Sequence, residues 1–252
     1  GIIMKVVGLE GVKKEMDRIT ARAEAYRKGG AKVPNIVVNI SKDNGQSYVA
    51  DYITSVLYEY KLRKFCGLDM ILEYRLDGTL KNVKQVFEDI AGNAVYTNEY
   101  EGVVAIDVSA LSEYVNEFQV DYFVEHIAEV AQSATVIIYY SEEFGKRMEI
   151  VKDRICKALG NYIAIHVEPY SLKEYSEIAV QSIKERGIDI ESEEELENLL
   201  CHVVGDKHVS NAKEAVAVAE ELAFCADYSG FVPRINIDKV NKFFSISERI
   251  KY

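Results

Sequence analysis

The sequence has no tryptophan, no C-x-x-C pair, no excess of basic residues and no long apolar run. All but the first of these absences remove a class of protein. A membrane-spanning helix needs about 18 to 20 consecutive apolar residues, and no stretch approaches that. Gly1 to Glu10 carries Lys5 and Glu10 and lacks a secretory pattern. The cysteines Cys66, Cys156, Cys201 and Cys225 are scattered. In a chain this long they read as buried or half-buried thiols of a cytoplasmic protein. Net charge is −11, from 30 basic and 41 acidic residues. A general binder of nucleic-acid backbone needs a basic face to displace counterions. No nucleic-acid and no membrane partner is therefore expected, and the acidity reads first as a device for solubility.

What is present is an alternation of two periodicities. At 252 residues the chain can bury a substantial core, in one large domain or in a core with a smaller companion. Leu9 to Lys28 places Val12, Met16, Ile19 and Ala23 at helical spacing and stops at Gly29-Gly30. Pro34 to Ile40 (PNIVVNI) is a β-branched run of the kind found in buried strands. Helical patterns follow at about 46–64, 80–90, 112–132 and 142–159, separated by strand patterns at 70–74, 102–106, 134–140 and 162–167. Strands separated by helices of this length need crossover connections, so the sheet should be largely parallel with helices on both faces. After Pro169 four helical patterns follow with no convincing strand between them. The expected organisation is an α/β core over residues 1–170 and an all-helical subdomain over 171–252. Gly1 is of the kind left by cloning, which is compatible with a fragment of something longer.

The order of these segments carries a family resemblance. Val7-Gly8-Leu9-Glu10-Gly11-Val12-Lys13 resembles the entry of AAA+ modules. PNIVVNI-SKDNGQS-YVADYI stands where a P-loop belongs, and GVVAID where a Walker B strand belongs. The stretch IHVEPYSLKEYSEIAVQSIKERGIDIESEEELENLL resembles the start of the lid in AAA+ proteins of the CbxX/CfqX group, which includes rubisco-activase-like and sporulation-associated members. SNAKEAVAVAEEL and INIDKV resemble that family's sensor-2 helix and final helix. No single motif is strong, but the collinear set covers nearly the whole chain. The resemblance implies a P-loop NTPase-like parallel five-stranded sheet of order 5-1-4-3-2 with flanking helices, followed by an all-helical C-terminal lid.

The same resemblance assigns roles, and the residues present depart from most of them. A P-loop, G-x-x-x-x-G-K-[ST], wraps phosphates with backbone N–H groups and reaches them with its lysine. The aligned residues are Ile40, Ser41, Lys42, Asp43, Asn44, Gly45, Gln46 and Ser47. Only Gly45 survives of the glycines, and uncharged Gln46 holds the lysine position. Asp43 adds a negative charge, and Lys42 occupies the wrong slot. The stretch reads first as an ordinary strand-to-helix turn, with Asp43 or Asn44 capping the helix that follows. Asp107 fills the Mg²⁺-holding Walker B position, with Ser47 as the other metal-side group if Mg²⁺ binds. Val108 holds the place of the glutamate and can accept no proton; losing a positioned base costs about 10²- to 10⁴-fold in rate. Sensor 1 falls at Tyr139 and Tyr140, the arginine-finger positions near Ala158 and Gly160, and Arg154 and Lys157 lie several residues off register. Lys213 takes the sensor-2 arginine position and keeps charge without the forked geometry. An aromatic pore loop would fall at Tyr74 to Gly78, where the glycine next to Tyr74 is missing.

Other constellations have plainer readings. Cys201, His202, His208 and Cys225 match no standard metal spacing, so no metal is expected. Cys201 reads as core, His202 as helix surface, and His166 as a satisfied core histidine. The acidic run from Glu191 to Glu197 suits a helix amino terminus. Among the 17 tyrosines, Tyr52, Tyr58 and Tyr60, with Tyr96 and Tyr100, suit a contact surface; half-buried core edges are the plainer reading for Tyr52 and Tyr60.

The leading expectation is a degenerate AAA+-like module, a pseudo-ATPase without cofactor, acting through unidentified protein partners and monomeric or weakly dimeric by itself. The alternative is an ATP-binding ATPase with atypical motifs and weak hydrolysis, using Mg-ATP with Lys42 or a neighbour's residue. A third reading, a small-molecule sensor in the vacated cleft, has no residue for or against it.

Overall fold

The computed structural model describes residues 9–64, 71–97, 102–113 and 118–250. Lys5, Val7-Gly8, Cys66, the first residue of the 70–74 strand pattern and Tyr100 lie outside these, as does the side chain of Tyr96. The chain divides into two compact units: residues 1–42 with 46–168, and residues 43–45 with 169–252.

In the first unit, α1 (Glu10–Thr20) and α2 (Ala23–Lys28) precede the sheet. The spacing of Val12, Met16 and Ile19 puts all three on the buried face of α1. The sheet has five strands: β1 (Asn35–Asn39), β2 (Ile71–Arg75), β3 (Val103–Asp107), β4 (Thr135–Tyr140) and β5 (Tyr162–His166). Four helices make the crossovers: α3 (Gln46–Glu59), α4 (Leu80–Thr97), α5 (Phe118–Val130) and α6 (Gly145–Leu159). All pairings are parallel and the order is β2-β3-β4-β1-β5, as the resemblance implies.

Burial follows position in that order. Every residue of β1 and β3 is buried, because a central parallel strand is covered by helices on both faces. The edge strands β2 and β5 alternate or lie mostly open. This corrects the reading of His166: it sits on an edge strand, with a side chain 45% exposed, rather than in the core. Val37, Val104, Ile106, Val136 and Ile138 pack against Phe87, Phe123, Ile127 and Ile155. Each such aliphatic side chain contributes about 1.5–3 kcal/mol when fully buried.

The second unit holds α7 (Leu172–Glu185), α8 (Glu193–Asp206), α9 (Ala212–Leu222) and α10 (Ile237–Ile250). Ser171 and Glu174 close a capping box on α7, and Ser192 caps α8 ahead of Glu193, Glu194 and Glu195. Leu196, Leu200, Val218, Leu222 and Val240 meet in its core. The unit is mainly helical but not wholly so. Two-residue strands β6 (Asp189–Ile190), β7 (Ala226–Asp227) and β8 (Arg234–Ile235) form a small sheet of order β6-β8-β7. The sequence shows no strand pattern there, because two residues are too few to display a period of two.

Candidate functional site

A parallel sheet of this order opens a crevice at its carboxyl ends, where the chain leaves neighbouring strands in opposite directions. Here that happens between β1 and β4. The first turn of α3 and the strands β2, β3 and β4 bring Gln46, Ser47, Glu73, Arg75, Asp107 and Tyr139 together.

Asp107 is the centre of this group. It is the last residue of β3, and its side chain is 10% exposed. The Gln46 amide donates to one carboxylate oxygen at 3.1 Å, and the Ser109 N–H donates to the other at 3.0 Å. Arg75 Nε stands 3.6 Å from the oxygen that Gln46 uses, brought there because Arg75 and Asp107 are register partners on β2 and β3. A buried carboxylate must be paired and hydrogen-bonded. Here a neutral amide, a backbone N–H and a partly exposed guanidinium together do this.

Ser47 also has an internal partner: its hydroxyl donates to Glu73 at 2.6 Å. Tyr139 lies beneath the loop and donates its hydroxyl to the Gln46 carbonyl at 2.7 Å. Burial, and then the negative charge of Glu73, hold its phenol well above the ordinary range, so it remains a neutral donor. Val108 is fully buried and gives its N–H to the Tyr139 carbonyl. Ser41 donates to Glu143 at 3.0 Å, while Lys42 is exposed. Asn39 holds His166 at 3.0 Å through Nδ1, and Glu168 stands 3.4 Å from the other ring nitrogen.

Residues 43–45 belong to the second unit, and their bonds correct the expected cap. Asn44 does not cap α3. Its buried side-chain oxygen accepts the Ala212 N–H at 3.0 Å, and the Asp43 carbonyl accepts the Lys213 N–H at 3.1 Å. Asn211 accepts the Glu214 N–H at 2.9 Å. The first three amides of α9 therefore all have acceptors. Such amides otherwise make a helix amino terminus a ready anion site. The geometry requires Gly45, whose φ is +84°, while Asp43 takes the left-handed region at φ +61°. The surviving glycine thus has a conformational reason that does not involve phosphate. The Lys213 side chain is exposed.

The other sequence candidates separate. Arg154 pairs with Asp121 on α5, Lys157 is exposed, and Tyr140 faces the Lys152 ammonium. The Tyr74 hydroxyl donates to Asp89. The half-buried Cys201 sulfur lies 3.2 Å from the Ser176 hydroxyl, which donates to the Leu172 carbonyl at 2.8 Å, and His202 is exposed. No group of three or more possible metal ligands is found among the described residues. Glu73 and Arg75 carry no motif that marks them for this site. The period of two in ILEYR does place them on one face of β2, but only the β2-β3 register shows which loop they meet.

No protein-family model matches the chain, and no curated protein matches it. Solved structures do. The Thermotoga maritima RuvB Holliday junction branch migration motor is 17% identical with a TM-score of 0.57, over 95% of this chain and 70% of that one. A point mutant of that RuvB is 14% identical with a TM-score of 0.58, over 96% and 70%. A katanin structure, described for its self-assembly, is 13% identical with a TM-score of 0.54, over 90% and 73%. At these identities the likeness is one of fold: this chain shares the P-loop NTPase-like fold of AAA+ modules such as RuvB and katanin.

Proposed function

We propose that the chain is a catalytically degenerate AAA+-like module of the CbxX/CfqX kind, acting through protein contacts as a regulatory or structural part of a larger cytoplasmic protein or assembly. The observation that carries this reading is the 3.1 Å bond from Gln46 to Asp107. Where a working P-loop has a lysine for the terminal phosphates, this loop has a neutral amide that turns to the Walker B carboxylate instead.

Three further features support it. Ser47, the metal-side hydroxyl, donates to Glu73. Val108, in the place of the water-positioning glutamate, is buried and aliphatic. Asp43 and Asn44 already fill the leading amides of α9. A positioned base is worth about 10²- to 10⁴-fold and an arginine finger about 10³- to 10⁵-fold, so losing both leaves little turnover to measure. What such a fold retains is surface, and the katanin structure is described for its self-assembly.

The test is melting temperature with and without Mg-ATP, together with steady-state phosphate release. A ligand that binds only the native state must raise the melting temperature. The expected outcome is no shift and release at background, for the protein and for Gln46→Lys alike. ATPase activity that disappears in Asp107→Ala would overturn the reading in favour of an ATP-binding ATPase with atypical motifs.

A further inference from the structure

In the first unit, away from the carboxyl ends of the strands, α1 and α3 border a cavity of about 180 Å³. Asp17 of α1 and Asp51, Tyr52, Val56 and Glu59 of α3 line it, with Tyr60 just beyond the helix. Tyr52, Val56 and Glu59 recur at i, i+4 and i+7, which sets them on one side of α3. The cavity therefore has two tyrosines, an aliphatic patch and three carboxylates, and among the described residues no lysine or arginine lines it.

Several carboxylates elsewhere in the chain are paired, as Asp107 is with Arg75, Asp121 with Arg154 and Glu193 with Lys184. None of the carboxylates of Asp17, Asp51 and Glu59 takes an ion pair or hydrogen bond from a described residue. The uncompensated field is felt inside the cavity. Burial, followed by Asp17, Glu10 and Glu59, pushes the Tyr52 phenol above its ordinary value.

We propose that this cavity receives an arginine side chain from a basic segment of a protein partner. Pockets for drug-sized ligands run to about 300–1,000 Å³; this one has room for a single side chain. Charge complementarity selects a cation. Two tyrosines in the lining favour the flat, weakly hydrated guanidinium, which stacks on aromatics as well as pairing with carboxylates. Tyr60, 40% exposed, gives the lining an accessible residue of a type common in protein interfaces. The inference supplies a partner chemistry for the protein-contact reading and rests on it, while its test is independent of nucleotide.

The probe is a fluorescein-labelled nonapeptide of alternating arginine and glycine, followed by fluorescence anisotropy on the whole chain at physiological salt. Asp17→Asn, Asp51→Asn and Glu59→Gln combined should weaken binding at least about tenfold. A charge-matched control, Glu191→Gln, Glu194→Gln and Glu197→Gln, should stay within about twofold. Tyr52→Leu alone should weaken binding by about two- to tenfold, the range of one cation–π contact, with circular dichroism confirming that each variant is folded. Equal loss in the two charge triples, or no effect of Tyr52→Leu, overturns the proposal in favour of diffuse attraction. Displacement of the peptide by an equal concentration of spermine overturns it in favour of a free polyamine. Self-association abolished by the cavity triple overturns it in favour of a second copy of the chain. These outcomes do not depend on Mg-ATP turnover, so failure here and failure of the inactive-site reading are told apart.

Discussion

Asp107 has a more demanding environment than its place at a strand end requires. Its carboxylate is nearly buried and takes hydrogen bonds from Gln46 and Ser109. Asp107→Ala would leave both donors without that acceptor, and an unsatisfied buried polar group costs about 1–3 kcal/mol. The expected result is a lowered urea midpoint with unchanged m-value. Arg75 is 55% exposed, so Arg75→Ala should cost no more than about 1 kcal/mol, within the range of exposed ion pairs. Equal losses from the two variants would show that the ion pair, not the neutral donors, dominates. Tyr170 gives a second residue-scale prediction. Burial first, and then the charge of Glu174, raises its phenol from 10.0 to about 12. An acid raised in the folded state loses a proton more readily when unfolded, so its stabilising contribution is full below pH 10 and declines between about pH 10 and 12. Thermal melts across that window should fall more steeply for the native protein than for Tyr170→Phe.

At the scale of elements, α9 shows how little of a cap is visible in sequence. Asn211 and Glu214 are legible as a cap signature, since an asparagine precedes the helix and the acid follows at N3. Asn44 is not legible, because it lies 168 residues away and bonds through tertiary contact. Asn44→Ala should cost about 0.5–2 kcal/mol, the value of a cap, read as faster amide exchange at Ala212 and Lys213; exchange unchanged at both would remove Asn44 from the capping role. The strands are readable from the β-branched runs VVNI, VVAI and TVIIYY, and their order comes from resemblance to a family. Which strands are edges is not readable. YIAIHV is as apolar as a central strand, and this is why His166 reads as core in the sequence and lies open in the fold. The site is half legible. Gln46, Ser47 and Asp107 can be picked out from the loop and strand end, whereas Glu73, Arg75 and the Asn44–α9 bonds depend on register and tertiary placement that local periodicity does not encode.

For the whole molecule, the prominent quantity is the net charge of −11. Identical acidic surfaces repel one another, and the repulsion weakens as the screening length falls from about 30 Å at 0.01 M salt to about 8 Å at physiological salt. The chain alone should therefore be a monomer or weak dimer, with any association favoured by salt and unaffected by Mg-ATP. Light scattering at the two ionic strengths, with and without nucleotide, checks this. A stable hexamer that forms on adding ATP would contradict both the inactive-site reading and the need for other subunits.

The small group of residues 43–45 has a practical consequence for dissecting the protein. The second unit is discontinuous: its first three residues arise early in the chain, and the rest begin at 169. A fragment cut at 169 would lack the oxygens that accept the Ala212 and Lys213 amides. Water would have to take their place, and the first turn of α9 would fray in the excised piece. During synthesis, too, these three residues emerge long before α9 exists to receive them, so the loop must wait for the carboxyl-terminal half before its native bonds can close.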